Sequence, residues 1–569
     1  MKQKFIKSLI VMVLALSVVL CSTISAFALP INNVNNSYFY NVDGWDAAAP
    51  LSFTVEKQIS VFDLIPNATT TTAFSPTDIC YRNGYLYILD SDGNAVYVLD
   101  EKYQVVSSFK LLSGNVPELA INSSADEESG EVVIVPTNKF ALNKPQGIYV
   151  TNDNVIYISD TENQRIVACD MTGKVSQVYQ SIKISVLGDN YSFKPTRLVI
   201  DNTGDIQVLC DGINRGILQI TSEGVFSAFF GAPDVIISLW ERVWRNFATE
   251  EQLAQMITYD PTEYSSLTVD GRGFIYPTIA ALDETSVQQL KQQTKESTYS
   301  PVKKLSADGT DMLRRKGLAT PMGDLKWPNE KDYSPRIVDV AVDNESGRYT
   351  ILDQKTGRFS TYDTDGNLLY ICGGLGTSVG TFELASALDI NGDYVYVADT
   401  GVSSKTITVF KATDYVQAIN RAAEASSNGF WTESIPLWEE VLSYNSNMYI
   451  ANIGLGKAEM RLAMNLIDDQ TDENGLNALD HYERAIVYFN RANEKDNYSI
   501  AYTALRTNEM EKYFGLIFGG IAALIVAYFT FGFVKTYRQK KKEKAQKLAA
   551  ALARQEAAAA KYKAKGEDE

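Results

Sequence analysis

One pattern recurs along the chain: an apolar strand opening near a proline, a Gly/Asn turn, a second apolar strand ending in Asp, a polar turn, and a third strand. It reads "SPTDICYRNGYLYILDSDGNAVYVLD" from Ser75, "KPQGIYVTNDNVIYISDTENQRIVACD" from Lys144 and "KPTRLVIDNTGDIQVLCDGINRGILQI" from Lys194. Weaker copies start at Tyr264, Ser334 and Glu383, which makes six. Each is followed by a further short strand, such as "VSQVYQ" at 175–180, so each unit reads as a four-stranded antiparallel meander. Such a unit cannot bury both of its faces alone, and a ring of them can.

Radial repetition of four-stranded sheets predicts a mainly β fold, a six-bladed β-propeller over 51–411. The segment "LSFTVEKQISVF" at 51–62 precedes the first copy and can supply the last blade's missing outer strand. "KPQGIYV…NVIYISDTENQRIVACDMTGKV" resembles the NHL repeat family, and "YVYVADTG" at 393–400 matches its middle. The resemblance implies a propeller and leaves function open, because such propellers mostly bind ligands or proteins and only some are enzymes.

Two insertions interrupt the ring. Residues 113–135 are polar and acidic, and 233–257 read as helix, with Ile236, Trp240, Val243, Trp244 and Phe247 on one stripe. That stripe either docks on the propeller or faces a partner. Asp90, Asp160, Asp211, Asp353 and Asp399 each end the second strand of a copy. A catalytic carboxylate has no reason to recur five times at one position. A side chain that accepts hydrogen bonds from turn N–H groups does, so these five are expected to hold turns.

From residue 412 the alternation gives way to amphipathic helices. "DYVQAINRAAEASSNGFWTESIPLWEEVLSYNSN" is similar to a tetratricopeptide repeat, with a second copy near 449–494, and 412–512 reads as a helical stalk. Tyr513 to Val534 is uncharged and apolar, long enough at about 1.5 Å per residue to cross a hydrocarbon core. The basic tail at 535–569 follows it, and residues 1–28 have the basic, apolar and small-residue order of a signal peptide. These features predict a single-pass type I protein of a bacterial cell membrane, its bulk extracellular and its C-terminus cytoplasmic.

The net charge of −17 divides unevenly: residues 1–28 carry +3 and 535–569 carry +6, which leaves −26 between them. So acidic an outer part argues against nucleic acid or polyanions as partners. Four cysteines beyond Cys21, namely Cys80, Cys169, Cys210 and Cys372, are far apart and form no metal-knuckle spacing. Cys80, Cys169 and Cys210 lie inside strand patterns and read as small buried hydrophobes.

Propellers of this kind include gluconolactonase-like metal-dependent hydrolases, and NHL propellers include lyases with histidine at the axis. The one histidine here, His481, lies outside the strand region, so the lyase comparison lacks its imidazole. Aligning the copies on their turn Asp brings Asp78, Gly147, Arg197, Ser266, Asp339 and Ser386 to the channel mouth. Hydroxyls, carboxylates and one guanidinium suit a sugar-like ligand, or they pair with one another across the channel. The expectation is a non-enzymatic binding or scaffold protein without cofactor. It would take a carbohydrate-like or envelope ligand, or would serve a membrane transport complex or another protein through the helical segment. The alternative is a surface lactonase that uses a divalent metal such as Ca²⁺ in the channel.

Overall fold

The computed structural model describes residues 37–117, 139–184, 187, 191–213, 215–231, 263–280, 300–317, 319–324, 334–466 and 470–565. The leader at 1–28, the helical insertion at 233–257 and residues 118–135 of the first insertion lie outside these.

Among the described residues five complete antiparallel blades are present, where six were expected. In chain order they are β4–β7 (Pro76–Arg82, Tyr85–Asp90, Ala95–Leu99, Val105–Phe109), β9–β12 (Gly147–Val150, Ile156–Asp160, Arg165–Cys169, Lys174–Gln180) and β13–β16 (Pro195–Ile200, Ile206–Cys210, Ile217–Ile220, Phe226–Phe230). Among the described residues, the regular ladder at the next ring position is the hairpin β17–β18 (Tyr264–Val269, Ile275–Ile279). Then come β19–β22 (Ile337–Val342, Tyr349–Asp353, Arg358–Tyr362, Leu368–Gly373) and β23–β25 (Ala385–Asn391, Tyr394–Asp399, Thr406–Ala412). For convenience the ring positions are numbered 1 to 6, with the hairpin as the fourth.

The reduced fourth position has a local cause. Pro277 sits in the middle of β18 and has no N–H to give to a third strand. The chain there makes isolated bridges instead, Ile275 with Leu305 and Thr278 with Val302. The ring closes as expected at the sixth position: β3 (Phe53–Ser60) pairs antiparallel with β25, Thr406 opposite Ser60 and Ala412 opposite Phe53. A short parallel strand, β8 (Ser113–Gly114), adds to the edge of the second blade.

The middle strands are buried at every residue, as in β6, β11 and β14, because each blade is covered on both faces by its neighbours. The core is therefore a set of wedges between blades. Leu89, Val96, Ile156 and Val167 fill one wedge, and Ile79, Ala387, Tyr396 and Ile407 fill another. Cys80 and Cys169 pack in the first of these as apolar side chains, as expected. The β4–β5 turn uses Asn83 and Gly84 at φ of 51° and 83°, the pair of left-handed residues that a tight hairpin requires.

The chain forms two compact units, Met1–Ala458 with Arg491–Asn493, and Glu459–Asn490 with Glu494–Glu569. The first unit therefore extends past the expected boundary at 412. It takes in helices α1 (Asp414–Ser427) and α2 (Trp431–Tyr444) and the start of α3 (Tyr449–Asn465). Polar ties explain this. Asn420 on α1 accepts from Tyr370 Oη at 3.0 Å and donates to Asp393 at 3.1 Å, and Lys457 on α3 pairs with Asp365 at 2.5 Å. Gly454 lets Trp438 approach, since a Cβ there would lie 2.3 Å from the indole.

In the second unit, α4 (Ala478–Arg491) and α5 (Lys495–Lys565) bury Tyr482, Ala485, Phe489 and Ala501 together. From Tyr513, α5 is long and apolar enough to cross a membrane, and none of its apolar stretch is buried.

Candidate functional site

The axial site is built from the innermost strands. All but β9 carry a bulge just after their first residue, for example between Pro76 and Asp78 and between Pro195 and Arg197. Immediately after the bulge, the residue opposite the next-to-last residue of the second strand reaches the axis. Around the ring these residues are Asp78, Gly147, Arg197, Ser266, Asp339 and Ala387.

Five of the six expected axial positions are thus recovered, and the sixth is corrected from Ser386 to Ala387. Ser386 is the bulged residue itself. Its Oγ donates to Pro76 O at 2.8 Å, across to the first blade. Other donors reach the matching carbonyl of the next blade in the same way: Ser265 to Ile337 O at 2.7 Å, Thr161 to Pro195 O at 2.7 Å and Gln354 to Ala385 O at 2.7 Å. Ser386 therefore seals a joint between blades.

At the axis the side chains satisfy one another. The Arg197 guanidinium pairs with Asp78 at 2.6 Å and donates to the carbonyls of Gln146 at 3.0 Å, Thr77 at 3.1 Å and Ser386 at 3.4 Å. One side chain from the third blade thereby ties the first, second and sixth. Asp78 also accepts from Ile148 N at 2.8 Å, and Asp339 accepts from Leu388 N at 2.7 Å and Ser266 Oγ at 2.6 Å. Gly147 makes this crossing feasible, because a Cβ there would lie 2.4 Å from Thr196 O.

Burial pushes the Asp78 and Asp339 carboxyls up, and Arg197 opposes that shift by favouring their charged forms. One level along the channel, Asp389 accepts from Tyr81 N at 2.6 Å and Ile390 N at 2.8 Å. Burial pushes its pKa up to about 6 against the pull of Arg82. Asp389 was missed in the sequence because it lies mid-strand and outside the aligned series, two residues past Ala387.

No group of three or more His, Cys, Asp or Glu among the described residues is placed to hold a metal ion. The axial carboxylates instead have their oxygens engaged by Arg197, Ser266 and backbone N–H groups. His481 belongs to the second unit, buried with Nδ1 2.5 Å from Glu459 and Nε2 3.5 Å from Asp472.

Four of the five expected turn-holders do that work. Asp90 accepts from Ser75 N and Gly93 N, each at 2.8 Å. Asp160 accepts from Asn143 N at 2.7 Å and pairs with Arg165 at 2.7 Å. Asp353 accepts from Arg336 N at 2.9 Å, and Asp399 from Leu384 N at 2.8 Å. Asp211 is the exception and corrects the expectation: it lies one residue past the end of β14, where Cys210 holds the place the other four aspartates take. It is exposed, and its carboxylate accepts no hydrogen bond among the described residues; only its backbone N–H is engaged, by Lys194 O at 2.8 Å.

The NHL repeat model matches residues 142–169, within the second blade. No curated protein sequence matches the chain. Solved structures with similar folds include hydrazine synthase of Kuenenia stuttgartiensis, at 12% identity and a TM-score of 0.34, covering 61% of this chain and 98% of that one. A streptogramin B lyase structure aligns at 10% identity and 0.34, over 64% and 98%. The Cps50 (Swd1) β-propeller domain of Myceliophteria thermophila aligns at 10% and 0.32, over 63% and 100%. Scores this low carry no argument about function. The chain carries an NHL-repeat match in its second blade and folds as a β-propeller followed by a helical C-terminal segment.

Proposed function

We propose that this protein is a membrane-anchored, non-enzymatic binding and scaffold protein. Its propeller lies outside the cell and serves a carbohydrate-like or envelope ligand or a neighbouring membrane transport complex. The observation that carries this reading is the closed polar network at the axis. Arg197 occupies the crossing point, and Asp78 and Asp339 spend their oxygens on holding blades together. A lactonase would need those oxygens turned toward a divalent cation, with a guanidinium kept away from it. The long apolar helix adds the tether.

Affinity capture of the full chain from native membranes, with cross-linking, tests this. The expected result is a defined set of membrane proteins, recovered equally well by Asp78→Asn and Asp339→Asn variants that remain folded. Lactone hydrolysis that requires Ca²⁺ or Mn²⁺ and disappears in both variants would overturn the reading in favour of the hydrolase.

A further inference from the structure

Beside the channel mouth, between the third blade and the fourth ring position, lies a cleft of about 360 Å³. That is within the range of small-ligand pockets, roughly 300–1,000 Å³. Its walls include Gln146, Thr196, Asp211, Glu263, Tyr264 and Ser265.

Asp211 is an aspartate displaced from the turn position. Cys210 ends β14 where Asp160 ends the matching strand of the second blade, so Asp211 stands one residue beyond, out of reach of the turn N–H groups that the other aspartates hold. The Asp211 carboxylate faces the cleft without a partner among the described residues, and Glu263 likewise makes no ion pair or side-chain hydrogen bond there. The Thr196 hydroxyl spends its hydrogen on Leu209 O at 3.2 Å and that of Ser265 on Ile337 O at 2.7 Å; Ser265 Oγ then accepts from Thr278 Oγ1 at 2.8 Å and keeps one lone pair for a ligand, and Thr196 Oγ1 also accepts. The lining is therefore rich in acceptors, and the ligand must bring the donors.

Resting on the binding-protein reading above, we infer that this cleft is the ligand site and that it takes a neutral, polyhydroxylated ligand of mono- to disaccharide size. Asp211 and Glu263 accept from its hydroxyls, and the Gln146 amide supplies the counterpart donor. An anionic sugar is disfavoured by two carboxylates with no cation among the lining residues. A bare metal ion is disfavoured because no group of three or more His, Cys, Asp or Glu among the described residues is placed to hold one.

The test uses the full chain in detergent, with maltose, cellobiose and N,N′-diacetylchitobiose as probes and saturation-transfer NMR plus calorimetry as readouts. CaCl₂ serves as a fourth probe in thermal melts. The expected result is binding of at least one disaccharide, weakened about tenfold or more by Asp211→Asn and by Glu263→Gln, with melting temperatures unchanged. Sugar binding that survives both variants overturns the site and leaves the binding-protein reading standing. Failure of all three sugars to bind overturns the ligand class, while the membrane capture experiment continues to decide the broader reading. Stabilisation by Ca²⁺ that Asp211→Asn abolishes overturns the inference in favour of a cation site.

Discussion

Asp160 and Asp211 look like one repeat position in the sequence and behave oppositely, because Asp160 is the last residue of its strand whereas Asp211 stands one residue past Cys210, the last residue of β14. Asp160 is fully buried, and its carboxylate is held by Asn143 N, Asn163 Nδ2 and the Arg165 guanidinium, itself 0% exposed. Asp211 is exposed and contributes its side chain to a cleft. The difference is one of register: Cys210 takes the strand-end place opposite Pro195, as Asp90 does opposite Pro76, so Asp211 falls at the next position, where its N–H meets Lys194 O as that of Ser91 meets Ser75 O. A turn aspartate is thus a structural device only as the last residue of its strand. One residue further on, the same carboxylate is available to a ligand.

The largest effect that tests this contrast is on stability. Asp160→Ala leaves a buried arginine without its counter-charge and should cost about 3–5 kcal/mol in urea unfolding. The same truncation at Asp211 removes no contact and should cost under about 0.5 kcal/mol. Equal losses at the two sites would break the contrast, because they would mean that Asp211 holds its turn after all.

Next in size is Arg197→Ala at the axis. It strips the cation from Asp78 and leaves three carbonyls short of a donor, and a loss of about 2–3 kcal/mol is expected at pH 7. Without Arg197, both axial carboxyls bind protons more readily in the folded state, so the loss should shrink at pH 5. A loss that stays constant with pH would place the cost in packing rather than in charge.

Much of this architecture was legible before any coordinates, and what was hidden has physical causes. Apolar alternation punctuated by Asn-Gly and Asp turns reports strands directly, and a lone strand at 51–62 ahead of the first copy can only serve the last. Asp78, Arg197 and Asp339 converge because the repeat register carries them to the axis. Ser386 was misplaced because the sixth hairpin is short, like the first, and the bulge after Ala385 adds a residue that periodicity does not register. The fourth copy looked like the others because its inner hairpin keeps the pattern, while a single proline prevents outer strands from forming a regular ladder. Asp211 matched the repeat by residue type alone: the third blade's register puts Cys210 at the strand end and Asp211 one residue beyond, a shift that alignment on the aspartate hides.

The smallest effect separates the channel's inner carboxylate from the turn aspartates by pH. Asp389 has its folded-state pKa pushed up to about 6 from an ordinary value near 3.8. The folded protein therefore binds that proton more tightly than the unfolded chain does. Between about pH 4 and pH 6 this group makes stability fall as pH rises, and above pH 6 its contribution is flat. Acidification from neutral pH should thus stabilise the fold through Asp389, by about 1 kcal/mol once water access to a partly exposed carboxyl is allowed for. Melting temperatures of the wild type and Asp389→Asn from pH 4 to 7 isolate the term, since the amide keeps the shape and removes the titration. The difference between the two proteins should grow across pH 4–6 in the wild type's disfavour and then level off. A difference that grows in the opposite direction would mean that Arg82 and the Tyr81 and Ile390 N–H groups outweigh burial, and that the carboxylate is held charged.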